Sequence, residues 1–314
     1  MAATNGTFQT MSGSHYITRM WNNNGAKAYY RFKDSRMYLD GASNYIGGGI
    51  DLDFDNSVFS KSGGGLVALT GEGDRPWGTL AFRNGSTFAY GGFTENSIYR
   101  NLTFAFDDAE LLLHKDRASA TLAASGSGYV HYEMRGAGAV LKPASGATYT
   151  INAKLEGTGG LVVDGAGTVA FGANSAQFTG ALDVRQGTTD FSSNGGAASF
   201  TAVKGAGTVS GATMGDVTLP VTLLPDGTVS NVLTFADCTC SGRVTVDLGL
   251  TAENPLAMPY PQNLLVARYT GTAPDVLRWR MSGSGVPELR GKCVAENGEI
   301  RMRVYRAGFM VNFR

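Results

Sequence analysis

The feature that most restricts this chain is a phrase of seven residues that recurs along its middle: an apolar residue, any residue, Gly, any residue, Gly, any residue, and a second apolar residue. It reads Met134-Arg-Gly-Ala-Gly-Ala-Val140 and Leu155-Glu-Gly-Thr-Gly-Gly-Leu161. It recurs as Val163-Asp-Gly-Ala-Gly-Thr-Val169 and Val203-Lys-Gly-Ala-Gly-Thr-Val209. A fifth start, Leu69-Thr-Gly-Glu-Gly73, is interrupted before the strand-like run Gly78 to Phe82. The first two copies begin at Met134 and Leu155, 21 residues apart. Periods of about 20 to 50 residues mark stacked architectures. Two glycines at alternate positions let the chain turn where a Cβ would strike the rung above, while the flanking apolar residues face inward. The 44 glycines among 314 residues are about twice ordinary usage. With only 9 prolines, this is a composition of many tight turns between short strands.

Helical periodicity is scarce. The best acidic-then-apolar stretch, Asp107 to Arg117, is short and sits between strand-like segments. Alternation suits strands at Leu102 to Phe106, Tyr129 to Arg135, Ala181 to Val184 and Arg243 to Leu248. The fold expected is all-β: a right-handed parallel β-helix, or β-solenoid, with terminal caps. The hand follows the general preference of parallel crossovers. Residues 1–254 form the glycine-rich solenoid, with an irregular N-terminal portion. Residues 255–314 lose the glycine phrase, gain Arg and bulky apolar groups, and form a C-terminal β cap.

The stretch Leu155 to Phe191 resembles the autotransporter-associated β-strand repeat of type V secreted passenger proteins. The resemblance rests on the Gly-rich opening, Thr168-Val-Ala-Phe171, the Asn174 to Gly180 turn and Gly187-Thr188. Phe200 to Gly249 resembles the block that usually follows, through Gly205-Ala-Gly-Thr-Val-Ser-Gly211 and Leu224-Pro-Asp-Gly-Thr-Val229. Asn263 to Gly271 resembles the closing strands of such passengers. The resemblance implies export, surface display and a place within a longer polypeptide. Complete members of the family also end in a membrane β-barrel, for which the few strands after Pro255 do not suffice. Passengers range from adhesins to enzymes, so fold alone does not settle function.

Charge is balanced at 26 basic and 26 acidic residues, which argues against nucleic acid as a partner. The balance is uneven. From Val276 to Arg314 eight Lys or Arg stand against three acids. Such an end either meets an acidic polymer or serves as a solvated, aggregation-resistant edge. Cys238, Cys240 and Cys293 lack zinc spacing. Cys238 and Cys240 read as a buried thiol pair, with a bond from either to Cys293 as the alternative. No stretch has the length and apolarity of a transmembrane helix, and Met1 to Gly6 carries no signal core. The composition favours a piece of an exported product, secreted or on a bacterial outer surface.

Two side-chain rows are candidate ligand sites. Asp51, Asp53 and Asp55 share one face of a strand, with Leu52 and Phe54 inward. They would hold Ca²⁺, assist proton abstraction, or simply form a solvated outer face. Tyr129, His131, Glu133 and Arg135 line the face opposite Val130, Tyr132 and Met134. They would bind an anionic sugar, or be the polar side every solenoid strand presents. Tyr29, Tyr30, Tyr38 and Tyr45, with Trp21 and Trp77, serve either as sugar platforms or as buried stacking. No Gly-x-Ser-x-Gly elbow, HExxH, P-loop or calcium nonapeptide is present, and no cofactor is called for. The expected function is a non-catalytic stalk or adhesin for a surface glycan or a host or cell-surface protein. The rivals are a polysaccharide-degrading β-helix enzyme, with an acid pair formed between rungs, and an inert spacer.

Overall fold

A computed structural model of the protein describes residues 2–10, 14–18, 28–39, 43–47, 50–61, 65–69, 78–90, 102–113, 120–123, 130–152, 154–172, 175, 178–194, 197–251 and 259–307. Nearly all of these lie in strands or their turns, with no α-helix among the described residues. The strands stack in parallel as a β-solenoid. On one face the register runs Arg31, Asp53, Ala81, Ala105, Glu133 and Glu156, one residue per rung. A second face stacks Ala109, Ala139, Leu161, Leu182 and Val203. A third stacks Val169, Thr189, Val209, Phe235 and Tyr269. Parallel stacking continues through Gln262–Thr270 and Trp279–Ser284. The antiparallel hairpin Leu289–Glu296 and Glu299–Arg306 then folds back onto Gln262–Thr270. Asp107, which opens the best helix-like stretch, lies inside the strand Leu102–Leu113.

The interior is filled by like residues on successive rungs. Phe32, Phe54, Phe82 and Phe106 stack with ring centroids 5.0, 5.1 and 5.4 Å apart and planes within 16° of parallel. Those separations match the ~4.8 Å spacing of neighbouring strands, so the hydrogen-bond ladder and the ring stack reinforce each other. Phe88, Phe104 and Tyr132 form an adjoining column. Farther along, Phe106 is followed in register by Met134, and the position of Phe59 and Phe88 passes to Leu111, Leu141, Val163 and Val184, all buried.

Over the described residues before 130 the strands stack in parallel register, as those of the later rungs do. What changes is the chemistry of the corner. Asn5, Asp34, Asn56, Asn84 and Asp108 all take positive φ, between 47° and 56°, where the chain leaves the first face. Asn and Asp are the side-chain-bearing residues that best tolerate this left-handed region. A buried serine ladder follows them. Ser57 Oγ accepts from the Ser35 N–H at 3.0 Å, and Ser86 Oγ accepts from the Ser57 N–H at 3.0 Å. At Met134 and Leu155 the glycine phrase performs the same turn, while its copies at Val163 and Val203 turn the chain from the second face to the third. Gly138 has φ +77°, and a Cβ there would lie 1.7 Å from the Gly160 carbonyl oxygen of the next rung.

The serine ladder has a measurable weight. Ser57 is 2% exposed, so Ser57→Ala leaves the Ser35 N–H without its acceptor. The expected loss is about 1 to 3 kcal/mol, read as a lower urea midpoint with an unchanged slope.

Candidate functional site

Asp51, Asp53 and Asp55 do share the outward side of the Ile50–Asp55 strand, with Leu52 and Phe54 buried behind them. The solvated acidic face does not form, however: Asp53 and Asp55 are each only 7% exposed. Register supplies the cause. Arg31 lies opposite Asp53 on one neighbouring rung, and Arg83 lies opposite Asp55 on the other. The arginines cross over. Arg83 Nε and Nη2 donate to both oxygens of Asp53 at 2.9 and 2.8 Å, a bidentate fork. Arg31 Nη2 donates to Asp55 Oδ2 at 2.5 Å. The Tyr29 hydroxyl donates to Asp53 Oδ2 at 2.5 Å, and Asn84 Nδ2 to Asp55 Oδ1 at 2.8 Å. Asp51 Oδ1 accepts from the Thr79 N–H at 3.0 Å. These carboxylates therefore clamp three rungs together, and each oxygen of Asp53 and Asp55 already accepts a hydrogen bond.

The hydrogen bond from Asn84, then that from Arg31, holds the Asp55 carboxyl below the usual carboxylate range. A depressed folded-state pKa gives stability that is present above the unfolded value of ~3.9 and is lost as pH falls through the folded one. The thermal midpoint is expected to stay level above about pH 5 and to fall below about pH 4. In Asp55→Asn that acid-side fall shrinks, which a pH series of melting curves would register.

The second row is only partly described. Tyr129 lies outside the described residues, as do Trp21 and Trp77. His131, Glu133 and Arg135 follow the predicted alternation, with Tyr132 and Met134 buried behind. Arg135 Nη2 pairs with Glu133 Oε2 at 2.5 Å, and His131 Nδ1 lies 3.1 Å from Glu156 Oε2 on the next rung. Glu133 and Glu156 are themselves in register. This is an acid pair formed between rungs, each member already bound to a basic group. Of the tyrosines, Tyr29 is 54% exposed, while Tyr30 packs against the core.

A third site went unread in the sequence. A cleft of about 420 Å³ lies on the second face, lined by Asp183, Arg185, Lys204, Gly205, Ala206 and Pro220. Its other wall is Thr222, Ser230 and Asn231. That wall belongs to a small antiparallel hairpin, Thr222–Leu223 and Val229–Ser230, which leaves the stack. The Asp226 carboxylate ties the hairpin tip by accepting from the Thr228 N–H and hydroxyl at 2.9 and 2.7 Å. Inside the cleft Asp183 Oδ2 lies 3.1 Å from Arg185 and 3.8 Å from Lys204. Its volume falls within the ~300 to 1,000 Å³ of ordinary ligand sites. Pro225-Asp-Gly227 signals the hairpin, but nothing local signals what it overhangs.

All three cysteines are free. Burial pushes the Cys238 thiol up to about 11 and the Cys293 thiol to about 12, which suppresses the thiolate needed for attack or metal binding. Among the described residues no three His, Cys, Asp or Glu side chains converge to hold a metal ion. No described helix is long and apolar enough to cross a membrane. No family model, curated protein sequence or solved structure matches this chain.

Proposed function

We propose that this chain is a non-catalytic β-solenoid module, exported and displayed at a bacterial surface or secreted. It acts as a stalk or adhesin for a surface glycan or a host or cell-surface protein. Export and display rest on the resemblance of Leu155 to Phe191 to the autotransporter-associated repeat. The observation that carries the non-catalytic reading is the fate of the acidic row. Asp53 and Asp55, the carboxylates best arranged for catalysis by sequence, are bound by Arg31, Arg83, Tyr29 and Asn84. A general base needs a lone pair directed at substrate. The stacked rungs provide reach, and the cleft beside Lys204 provides hydroxyl, amide and charged groups in the mixture that saccharides engage.

A polysaccharide-degrading enzyme is the second reading, and one observation favours it: the in-register pair Glu133 and Glu156, with His131 beside it. Carboxylates on neighbouring strands approach the ~5 to 5.5 Å separation of retaining glycosidases. The test incubates the protein with a panel of host and microbial polysaccharides and follows retention and chain shortening together. Retention without shortening supports the adhesin. Shortening that disappears in Glu133→Gln or Glu156→Gln would replace it with the enzyme. Neither effect, on glycans or on cell-surface protein extracts, would leave an inert spacer.

A further inference from the structure

The antiparallel sheet at the C-terminal end has two unlike sides. Leu289, Cys293, Ile300, Met302 and Val304 are buried. Alternation therefore places Arg290, Lys292, Arg301, Arg303 and Tyr305 on the outward side. Register sets Lys292 opposite Arg303 and Arg290 opposite Tyr305. Like charges directly opposite on neighbouring strands destabilise a sheet. Some exposed cations elsewhere do meet a carboxylate, as Arg31, Arg83, Arg135, Lys142 and Arg185 do. Lys292 and Arg303 form no ion pair among the described residues, and the nearby Glu299 is taken by Arg301 at 2.7 Å.

Edge protection explains half of this. Leu289–Glu296 is the last strand of its sheet, where a lysine discourages pairing with another chain. Arg303 lies on Glu299–Arg306, which is paired on both sides, with Asn263 as its other neighbour. An interior strand has no edge to protect. Arg290 is held in place, its Nη1 donating to the Pro287 and Leu289 carbonyls at 2.6 and 2.8 Å. Beside it Tyr305 is 39% exposed and offers a ring to the C–H face of a sugar.

We propose that this outward face docks a linear acidic polysaccharide, whose carboxylates relieve the repulsion between Lys292 and Arg303. The choice of a glycan rests on the adhesin reading above. The surface is a sheet face rather than a cavity, which suits an extended polymer over a single sugar.

The test uses polygalacturonate as probe, with single-stranded DNA and neutral dextran beside it, in low salt and then in a salt gradient. Wild-type protein should be retained by polygalacturonate and released by salt. Lys292→Gln/Arg303→Gln should bind at least tenfold more weakly while melting at the same temperature or higher, since a repulsion has been removed. Lys33→Gln/Arg36→Gln, an equal loss of two exposed positive charges elsewhere, should keep wild-type retention. Unchanged retention in the double variant overturns the proposal, as does DNA binding as tight as polygalacturonate binding. Aggregation of the double variant with retention intact would assign the strip to edge protection instead. Retention on dextran alone would overturn the acidic docking strip and leave the adhesin reading standing.

Discussion

Gly138→Ala is expected to destabilise the protein by about 2 to 5 kcal/mol, combining ~1 to 2 for a Cβ in the left-handed region with ~1 to 3 for overpacking. At φ +77° the added methyl would point at the Gly160 backbone, with its oxygen 1.7 Å away. Neither partner can yield by a side-chain rotation, so the rung spacing itself must open. Gly146 provides the control, because its φ is +76° yet nothing lies within 4 Å of its Cβ position. Gly146→Ala should therefore show the dihedral part alone, about 1 to 2 kcal/mol. The difference between the two urea midpoints measures the close approach of rungs. Equal effects would mean that the glycine phrase serves only the turn.

Phe82→Ala should cost about 3 to 5 kcal/mol, the range for a large aromatic removed from a core. Phe82 is fully buried, with Phe54 and Phe88 5.1 Å away, Phe106 at 5.4 Å and Phe59 at 6.2 Å. A repeat stack is stabilised mainly by nearest-neighbour interfaces, so the damage should be local. Hydrogen exchange is expected to quicken across Ile50–Asp55, Val58–Lys61, Gly78–Tyr90 and Leu102–Leu113, while Val244–Leu250 keeps its protection. Uniform loss of protection along the chain would show that the two halves unfold as one unit.

The stacked β architecture is legible from residue 134 onward because the glycine phrase carries both the turn and the inward apolar positions. Upstream, the equivalent corners are written Asp34-Ser, Asn56-Ser and Asn84-Gly-Ser. Those are ordinary turn residues, 22 residues apart from Asp34 to Asn56 and 28 from Asn56 to Asn84, and no repeated phrase announces them. The acidic row shows the same division. Alternation alone places Asp51, Asp53 and Asp55 on the outward side. Their burial depends on Arg31 and Arg83, which come from the rungs on either side. Which residue lies opposite which is decided by how much chain the intervening loops take up, and local patterning does not encode that. The cleft is illegible for the same reason: its walls come from Asp183, Lys204 and Ser230, three passes of the chain.

The Arg83 fork on Asp53 and the Arg31 contact to Asp55, which join their rung to the rungs on both sides, bear on how the proposed stalk would carry load. Tension drawn along the stacking axis would act on a series of rung-to-rung seams, so the weakest seam would part first. Each detached rung of about 20 to 30 residues would release roughly 70 to 100 Å of slack chain. A seam with both a phenylalanine stack and a guanidinium fork resists better than one closed by valine and leucine alone. The molecule would thus lengthen stepwise from its aliphatic portion, acting as a shock absorber whose stiffest section is the one clamped through Arg31 and Arg83.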